Sequence, residues 1–168
     1  MTATVMAAGA LAPTPALASA SSGYISGSGA VNDDFGDEGT LRRGNAYANS
    51  GATGLWQTIL YADGFLTQDQ IDCQFGPATE TATKNWQSAY GLTADGIVGT
   101  GTFGRADVNL FQEGSHGSYL VIRYSGARRA VYFERLESSG GRYLFRNANG
   151  TDVYYLLTAS YNGIPTGC

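Results

Sequence analysis

Apolar side chains recur at helical spacing in the middle of the chain. The segment LWQTIL at residues 55–60 places its apolar residues on one helical face, which predicts a short amphipathic helix. A second helix is predicted over residues 77–90, because it opens with proline and then repeats Ala, Trp and Tyr every three or four positions. Gly91 is a typical left-handed stop, and residues 100–106 form a third short helix.

After residue 108 the apolar period changes from helical to two. Four segments rich in β-branched and aromatic residues are predicted as strands: 119–124, 130–135, 143–146 and 153–157. The loops between them contain Ser and Gly, and Asn149-Gly150 is a strong hairpin signal, so the simplest topology is an antiparallel meander. The predicted fold class is α+β, a small three-helix bundle followed by an antiparallel β-meander of about four strands.

The chain divides into four parts on these patterns. Residues 1–20 are uncharged, Ala-rich and end in ALASA, which is typical of a secretory signal and its cleavage site, although an Ala-rich tail without a targeting role is the alternative. Residues 21–46 are rich in Gly, Ser and acidic residues and are predicted as a flexible linker. Residues 47–107 are predicted to form a helical domain, and residues 108–168 are predicted to form a β domain.

Composition narrows the choice of partners. The chain is 43% hydrophobic and 14% charged, enough apolar residues for a core, but no uncharged apolar run reaches the roughly 20 residues that span a bilayer. Its net charge is −4 with a single lysine, which argues against nucleic acid as a partner. Residues 1–107 carry 10 acidic and 4 basic side chains, whereas residues 108–168 carry 4 acidic and 6 basic ones, and this asymmetry favours two units.

The two cysteines, Cys73 and Cys168, are expected to form a disulfide if the chain is exported. The bond would tie the C-terminus to the helical domain and stabilise the fold by up to about 4–5 kcal/mol in the chain-entropy model. The alternative makes Cys73 a nucleophile that is partnered by His116, the only histidine. Nothing in the local sequence brings these two residues together.

The segment FGPATETATKNWQSAYGLTADGIVGTGTF, at residues 75–103, resembles the peptidoglycan-binding domain family of small three-helix wall-binding modules. Together with the opening LWQ step, the resemblance covers about residues 47–107. The motif residues that carry it are Phe75, Gly76, Trp86, Asp95, Gly96 and Val98. It implies a non-catalytic module that binds cell-wall glycan peptides.

Most of these motif residues are expected to be structural, with Trp86 and Val98 in the core and Asp95-Gly96 in a turn. Five other residues offer hydroxyl, amide or aromatic groups suited to sugars and peptides: Thr79, Gln87, Tyr90, Thr102 and Phe103. The β domain holds seven of the 11 tyrosines and six of the nine arginines. An exposed Tyr/Arg face there is a candidate surface for carbohydrate, an anionic wall polymer or a secreted protein; otherwise these residues only suit half-buried strands.

The sequence offers few residues for catalysis. A single histidine is too few for a typical zinc site, and we expect neither a metal nor a cofactor. A glycosidase needs two carboxylates, for which the candidates are Glu113, Glu134, Glu137 and Asp152. We therefore expect a secreted, non-catalytic peptidoglycan-binding protein at the bacterial cell wall. The alternatives are a small wall-lytic enzyme and a secreted protease inhibitor that uses the same helical fold.

Overall fold

The computed structural model describes residues 20–146 and 156–168. Several predictions fall outside the described residues: most of the secretory signal at 1–20, the Asn149-Gly150 hairpin, Asp152 and residues 153–155. Within the described part of the chain, no helix is both long enough and apolar enough to cross a membrane.

Among the described residues, three α-helices form where the sequence predicts them: α1 (Gly51–Asp63), α2 (Pro77–Ala89) and α3 (Thr100–Asp107). Helix α1 begins where the Ser50 hydroxyl accepts a hydrogen bond from the backbone N–H of Thr53 at 3.2 Å. It ends at Gly64, whose left-handed φ of +86° closes the last turn. Because α1 is buried on nearly all sides, it extends well beyond the amphipathic pattern at 55–60.

In the part of the chain that the structure describes, five strands form one antiparallel sheet: β1 (Leu110–His116), β2 (Tyr119–Ser125), β3 (Ala130–Leu136), β4 (Arg142–Arg146) and β5 (Leu156–Thr158). They neighbour one another in chain order, so the predicted meander and the α+β class are confirmed, with five strands instead of about four. The additional strand is β1. Its register shifts between Gln112 and Gly114, and only its first residue, Leu110, is buried, so its sequence lacks the alternation that marks the other strands.

Residues 21–46, predicted as a flexible linker, contribute to the core instead. We name residues 23–41 of this segment the N-terminal strap. Four of its apolar side chains are buried: Ile25, Val31, Phe35 and Leu41. The ring centroid of Phe35 lies 5.0 Å from that of Tyr143 and 5.8 Å from that of Phe103. The strap has a linker-like composition because its few apolar residues are separated by Gly, Ser and Asp, yet these four all occupy core positions.

Buried carboxylates fasten the strap to the sheet. Asp34 forms an ion pair with Arg135 of β3, with 2.6 Å between Oδ2 and Nη1, and accepts a hydrogen bond from the hydroxyl of Tyr143. Glu38 accepts a hydrogen bond from the hydroxyl of Tyr161 at 2.7 Å. All five of these residues are at most 5% exposed, so their charges and hydrogen bonds are shielded from water.

A third carboxylate holds the strap from the helical side. Asp107, the last residue of α3, accepts a hydrogen bond from the backbone N–H of Phe35 at 2.8 Å. Burial raises the pKa of Asp107 to about 7, and the neighbouring carboxylate of Asp34 adds to the rise. Burial also raises the pKa of Asp34 to about 6 and that of Glu38 to about 7, although their hydrogen bonds oppose the rise. The strap is therefore attached through groups that titrate near neutral pH.

We expect the protein to lose stability as the pH rises from about 4 to about 8. Burial raises the pKa of Asp34, Glu38 and Asp107 in the folded state. Their contribution to the free energy of unfolding is therefore complete below the ordinary pKa values of Asp and Glu, and it disappears as the pH passes through about 6 to 7. Asp107→Asn keeps a neutral acceptor, so it should reduce the decline by on the order of 2–4 kcal/mol. Urea unfolding at pH 5 and pH 8 measures the effect.

The matched control for this prediction is Asp69→Asn. Asp69 lies in an exposed 3₁₀ turn, and hydrogen bonding lowers the pKa of its carboxyl instead of raising it. We expect this variant to leave the decline of stability with pH unchanged. A decline that is equally steep in Asp107→Asn and in the wild-type protein would contradict the prediction.

The helices, the sheet and the strap share one hydrophobic core. Trp56 and Trp86 pack edge to face in it, with 5.2 Å between ring centroids. The predicted disulfide between Cys73 and Cys168 is present, with 6.0 Å between the Cα atoms. Gly54 of α1 lies against this bond, since a Cβ there would meet the Cys73 sulfur at 2.4 Å. The disulfide leaves Cys73 without the free thiol that the nucleophile alternative requires.

Candidate ligand-binding groove

Gln87 of α2 organises the turn between α2 and α3. Its buried Nε2 donates to the carboxylate of Asp95 at 2.8 Å, the carbonyl of Ile97 at 2.9 Å and the hydroxyl of Thr102 at 3.0 Å. Its Oε1 accepts a hydrogen bond from the backbone N–H of Gly96 at 2.8 Å. Gly96 has a φ of +75°, which glycine adopts without steric cost. One side-chain amide therefore fixes both the turn and the first turn of α3.

A second glutamine, Gln57 of α1, makes the same kind of contacts one helix earlier. Its Nε2 donates to the carboxylate of Asp72 at 2.8 Å, the carbonyl of Gln74 at 3.0 Å and the hydroxyl of Thr79 at 2.9 Å. Its Oε1 accepts a hydrogen bond from the backbone N–H of Cys73 at 2.8 Å. Each glutamine thus joins an aspartate, a backbone carbonyl and a threonine of the following helix.

Residues 72–79 (DCQFGPAT) and residues 95–102 (DGIVGTGT) are therefore structural repeats, which we call the first and second repeat. Both place Asp, Gly and Thr at the same spacing around a helical glutamine. Cys73, with a φ of +57°, takes the position that Gly96 has in the second repeat. A left-handed backbone costs a residue with a Cβ about 1–2 kcal/mol, so the disulfide is built on a strained position.

An open groove lies beside the second repeat. Its cavity of about 290 Å³ is lined by residues from the end of α2, the turn and the start of α3: Gln87, Leu92, Thr93, Asp95, Ile97, Gly99, Thr100, Gly101 and Thr102. Leu92 and Ile97 supply apolar surface, and Asp95 and the threonines supply oxygen atoms. Helix α3 begins at the groove, and its dipole places partial positive charge there.

The residues predicted to contact a ligand have different positions in the structure. Gln87 and Thr102 line the groove, but both are buried and are hydrogen-bonded to each other and to the turn. Thr79 is buried in the first repeat, where it holds that turn together. Phe103 is fully buried, and its ring packs on the aromatic core, so the structure contradicts its assignment to a binding surface. From the sequence alone, an aromatic residue after the turn suggests a ring that stacks on a ligand. In the structure, the position of Phe103 on α3 directs its ring into the core.

The residues that carried the family resemblance occupy structural positions. Phe75, Trp86 and Val98 are buried, Gly76 precedes α2, and Asp95 and Gly96 form the turn. Val98 also pairs with the strap, because its N–H and carbonyl each form a 2.9 Å hydrogen bond with the backbone of Leu41. The strap therefore lies directly beside the second repeat and supports it.

Asp63, at the end of α1, connects α1 to α2 and to strand β2 of the sheet. Its buried carboxylate accepts hydrogen bonds from the indole of Trp86 at 2.7 Å, the hydroxyl of Tyr90 at 3.0 Å and the hydroxyl of Tyr124 at 2.7 Å. Burial, together with Asp63, raises the pKa of Tyr90 to about 12. The guanidinium of Arg105 lies 4.4 Å from the Tyr90 ring centroid. Tyr90 thus has internal partners and is not among the residues that line the groove. The sequence carried no signal for the hydrogen bonds of Asp63, because a single Asp at the end of a helix has no distinctive pattern around it.

Comparison with known proteins supports the resemblance. Residues 50–105 match the model of a family described as a peptidoglycan binding domain, and the C-terminal part of the chain is unmatched. The chain is 38% identical over 107 residues to a zinc D-Ala-D-Ala carboxypeptidase of Streptomyces albus G. The alignment covers 62% of this chain and 41% of that relative, so the chain spans less than half of the relative's length. No solved structure gives a significant match.

The relative corrects one prediction. The sequence predicted a protein that is not an enzyme, but the relative is named as an enzyme, which contradicts this prediction. Its name includes zinc, a metal that proteins hold through three or four His, Cys, Asp or Glu side chains. In residues 20–146 and 156–168, no three His, Cys, Asp or Glu side chains lie together as a metal site. The only histidine, His116, has its Nε2 3.5 Å from Glu134. These residues do not fit a zinc centre.

Proposed function

We propose that the protein binds peptidoglycan through the groove beside the second repeat. The observation that carries this proposal is the position of the groove within residues 50–105, the part of the chain that matches the peptidoglycan binding family. Gln87 and Thr102, two of the residues expected to contact a ligand, line it. The hydrogen bonds of Gln87 hold the groove in one shape before any ligand arrives, which lowers the entropic cost of binding.

The chemistry of the groove suits the glycan peptides of a cell wall. Leu92 and Ile97 offer apolar surface to small side chains such as the methyl group of alanine. The hydroxyls of Thr93 and Thr100 can exchange hydrogen bonds with peptide amides or sugar hydroxyls. The N-terminal end of α3 favours a negatively charged or carbonyl oxygen at the same place.

Substitution of exposed groove residues should weaken binding to the wall. We expect the double variant Thr93→Ala/Ile97→Ala to bind purified peptidoglycan sacculi about tenfold more weakly, because it removes one hydroxyl and most of one apolar contact. Both positions are exposed, so the fold should be retained. Depletion of the full chain from solution by increasing amounts of sacculi gives the affinity.

The control is Thr81→Ala, which removes a hydroxyl from an exposed position of α2 outside the groove. We expect this variant to bind sacculi as the wild-type protein does. Equal affinities of the groove variant and the control would contradict the assignment of binding to this groove.

We also propose that the protein is exported and acts at the bacterial cell wall. The Cys73–Cys168 disulfide supports this, since disulfides persist mainly outside the cytosol. The Ala-rich start of the chain has the composition of a secretory signal that ends near Ala18 or Ala20. Mass spectrometry of the natural protein should then find an N-terminus after one of these residues, and an N-terminus at Met1 would contradict the proposal.

Hydrolysis in the wall is a second candidate function. The observation that favours it is the 38% identity to a protein named as a D-Ala-D-Ala carboxypeptidase. The test is to incubate the full chain, with and without added Zn²⁺, with a peptide that ends in D-Ala-D-Ala and to measure free D-alanine. Release that increases with protein concentration would support this candidate. Absence of release under both conditions would contradict it.

A further inference from the structure

One face of the sheet points away from the helices and carries exposed rings. Phe111 of β1, Arg123 of β2 and Tyr132 of β3 pair directly across three strands and form one row on this face. Phe111 is 46% exposed and Tyr132 is 44% exposed, whereas the adjacent residues Ile122 and Phe133 are fully buried on the opposite face. The row is therefore a surface feature and not part of the core.

Along the row, the guanidinium of Arg123 lies between the aromatic rings of Phe111 and Tyr132. The Cζ atom of Arg123 lies 5.0 Å from the ring centroid of Phe111, and its Nε forms an ion pair with Glu113. Two interstrand spacings separate the backbones of Phe111 and Tyr132, or about 10 Å. Such a row offers apolar ring surface at both ends and hydrogen-bond donors in the middle.

A second group of residues lies further along the same face. His116 of β1 and Tyr119 of β2 are paired, and their rings stack with centroids 5.3 Å apart. Beside them, Glu134 of β3 is 7% exposed, and its Oε2 accepts no hydrogen bond from the described residues. The nearest donor is Nε2 of His116 at 3.5 Å, and the His116 side chain is 58% exposed. A ligand hydroxyl that displaced the His116 ring would supply the missing hydrogen bond.

The charges on this part of the sheet decide which ligand it fits. On the outward side of β1, β2 and β3, Arg123 faces Glu113, and His116 faces Glu134. On these three strands a polyanion would meet the carboxylates of Glu113 and Glu134, which is unfavourable, although Arg142 and Arg146 share the outward side on the next strand, β4. A neutral polymer of sugar rings carries no such penalty, and it presents C–H surface to aromatic rings and hydroxyls to charged groups.

We propose that this outer sheet face binds a neutral glycan strand. Phe111 and Tyr132 contact sugar rings, Arg123 donates to sugar oxygens between them, and Glu134 accepts from a hydroxyl. The site is separate from the groove beside the second repeat, so it stands whether or not the groove binds peptidoglycan. In a wall polymer that contains both glycan and peptide, two such sites on one molecule would increase the overall affinity.

The test uses the full chain and a soluble hexasaccharide of β-1,4-linked N-acetylglucosamine in isothermal titration calorimetry. We expect the wild-type protein to bind it, and Phe111→Ala/Tyr132→Ala to bind it at least about tenfold more weakly. Both positions are exposed, so the variant should fold. The control Ile164→Ala removes an apolar side chain of similar exposure outside the sheet, and its affinity should be unchanged.

Two further titrations complete the test. Thr81→Ala, which lies on α2 outside both the groove and the sheet face, should bind the hexasaccharide as the wild-type protein does. Inorganic polyphosphate should bind more weakly than the hexasaccharide. Failure of the hexasaccharide to bind, equal binding by the sheet variant, or tighter binding of polyphosphate would overturn the proposal.

Discussion

Cys168→Ser should lower the free energy of unfolding by about 4–5 kcal/mol. The bond to Cys73 closes a loop with a sequence separation of 95 residues, and in the chain-entropy model a loop of this size gives that stabilisation. The bond also holds the C-terminus against α1, where Gly54 leaves room for it. Urea unfolding of the wild-type protein with and without dithiothreitol, beside Cys168→Ser, measures the effect.

The backbone at Cys73 provides a second comparison. Cys73→Gly and Cys73→Ala both remove the disulfide, but only glycine accepts the φ of +57° without steric cost. We expect the glycine variant to be more stable than the alanine variant by about 1 kcal/mol. If dithiothreitol leaves the unfolding midpoint of the wild-type protein unchanged, the loop-closure prediction is wrong. Equal stability of the two variants would contradict a left-handed backbone at this position.

Arg135→Met should lower the free energy of unfolding by about 3–5 kcal/mol, the second large effect that we expect. Arg135 is 1% exposed and is the cation paired with Asp34 of the strap. Removing it leaves a buried carboxylate without its charge partner, which costs far more than the ion pair itself contributes. Asp34→Asn in the Arg135→Met background should recover part of the loss, because the asparagine carries no charge.

The control for this prediction is Arg123→Met. Arg123 also lies on the sheet and pairs with a carboxylate, Glu113, but its side chain is 29% exposed and that of its partner is 42% exposed. A partly exposed pair of this kind contributes about 0–1 kcal/mol. Thermal and urea unfolding of the two methionine variants give the comparison. Equal losses in both would show that the strap does not depend on the buried ion pair.

The elements that could be predicted from the sequence are those with local signals. Helix α2 begins at Pro77 and is followed by Gly91, and both signals lie within the segment itself. The strap could not be predicted in this way because its partners are distant in sequence. Asp34 and Arg135 are 101 residues apart, and Glu38 and Tyr161 are 123 residues apart. Composition alone therefore favoured a linker where the folded chain has buried carboxylates.

The candidate site could be predicted only in part, again because some of its features depend on residues that are distant in sequence. Gln87 and Thr102 follow from the family motif, whereas the burial of Phe103 depends on which side of α3 meets the strap and α1. The matching role of Gln57 was missed, although the sequence contained a signal for it. Asp, Gly and Thr have the same spacing in residues 72–79 and in residues 95–102, and a search for internal repeats would have found both turns.

The most direct test of the central claim is co-sedimentation of the full chain with purified peptidoglycan sacculi. The proposed function predicts that the protein pellets with the sacculi in a saturable manner and that the Thr93→Ala/Ile97→Ala variant needs about tenfold more sacculi to reach the same bound fraction. Soluble muropeptides added in excess should return the protein to the supernatant. Wild-type protein that stays in the supernatant at every amount of sacculi would contradict peptidoglycan binding.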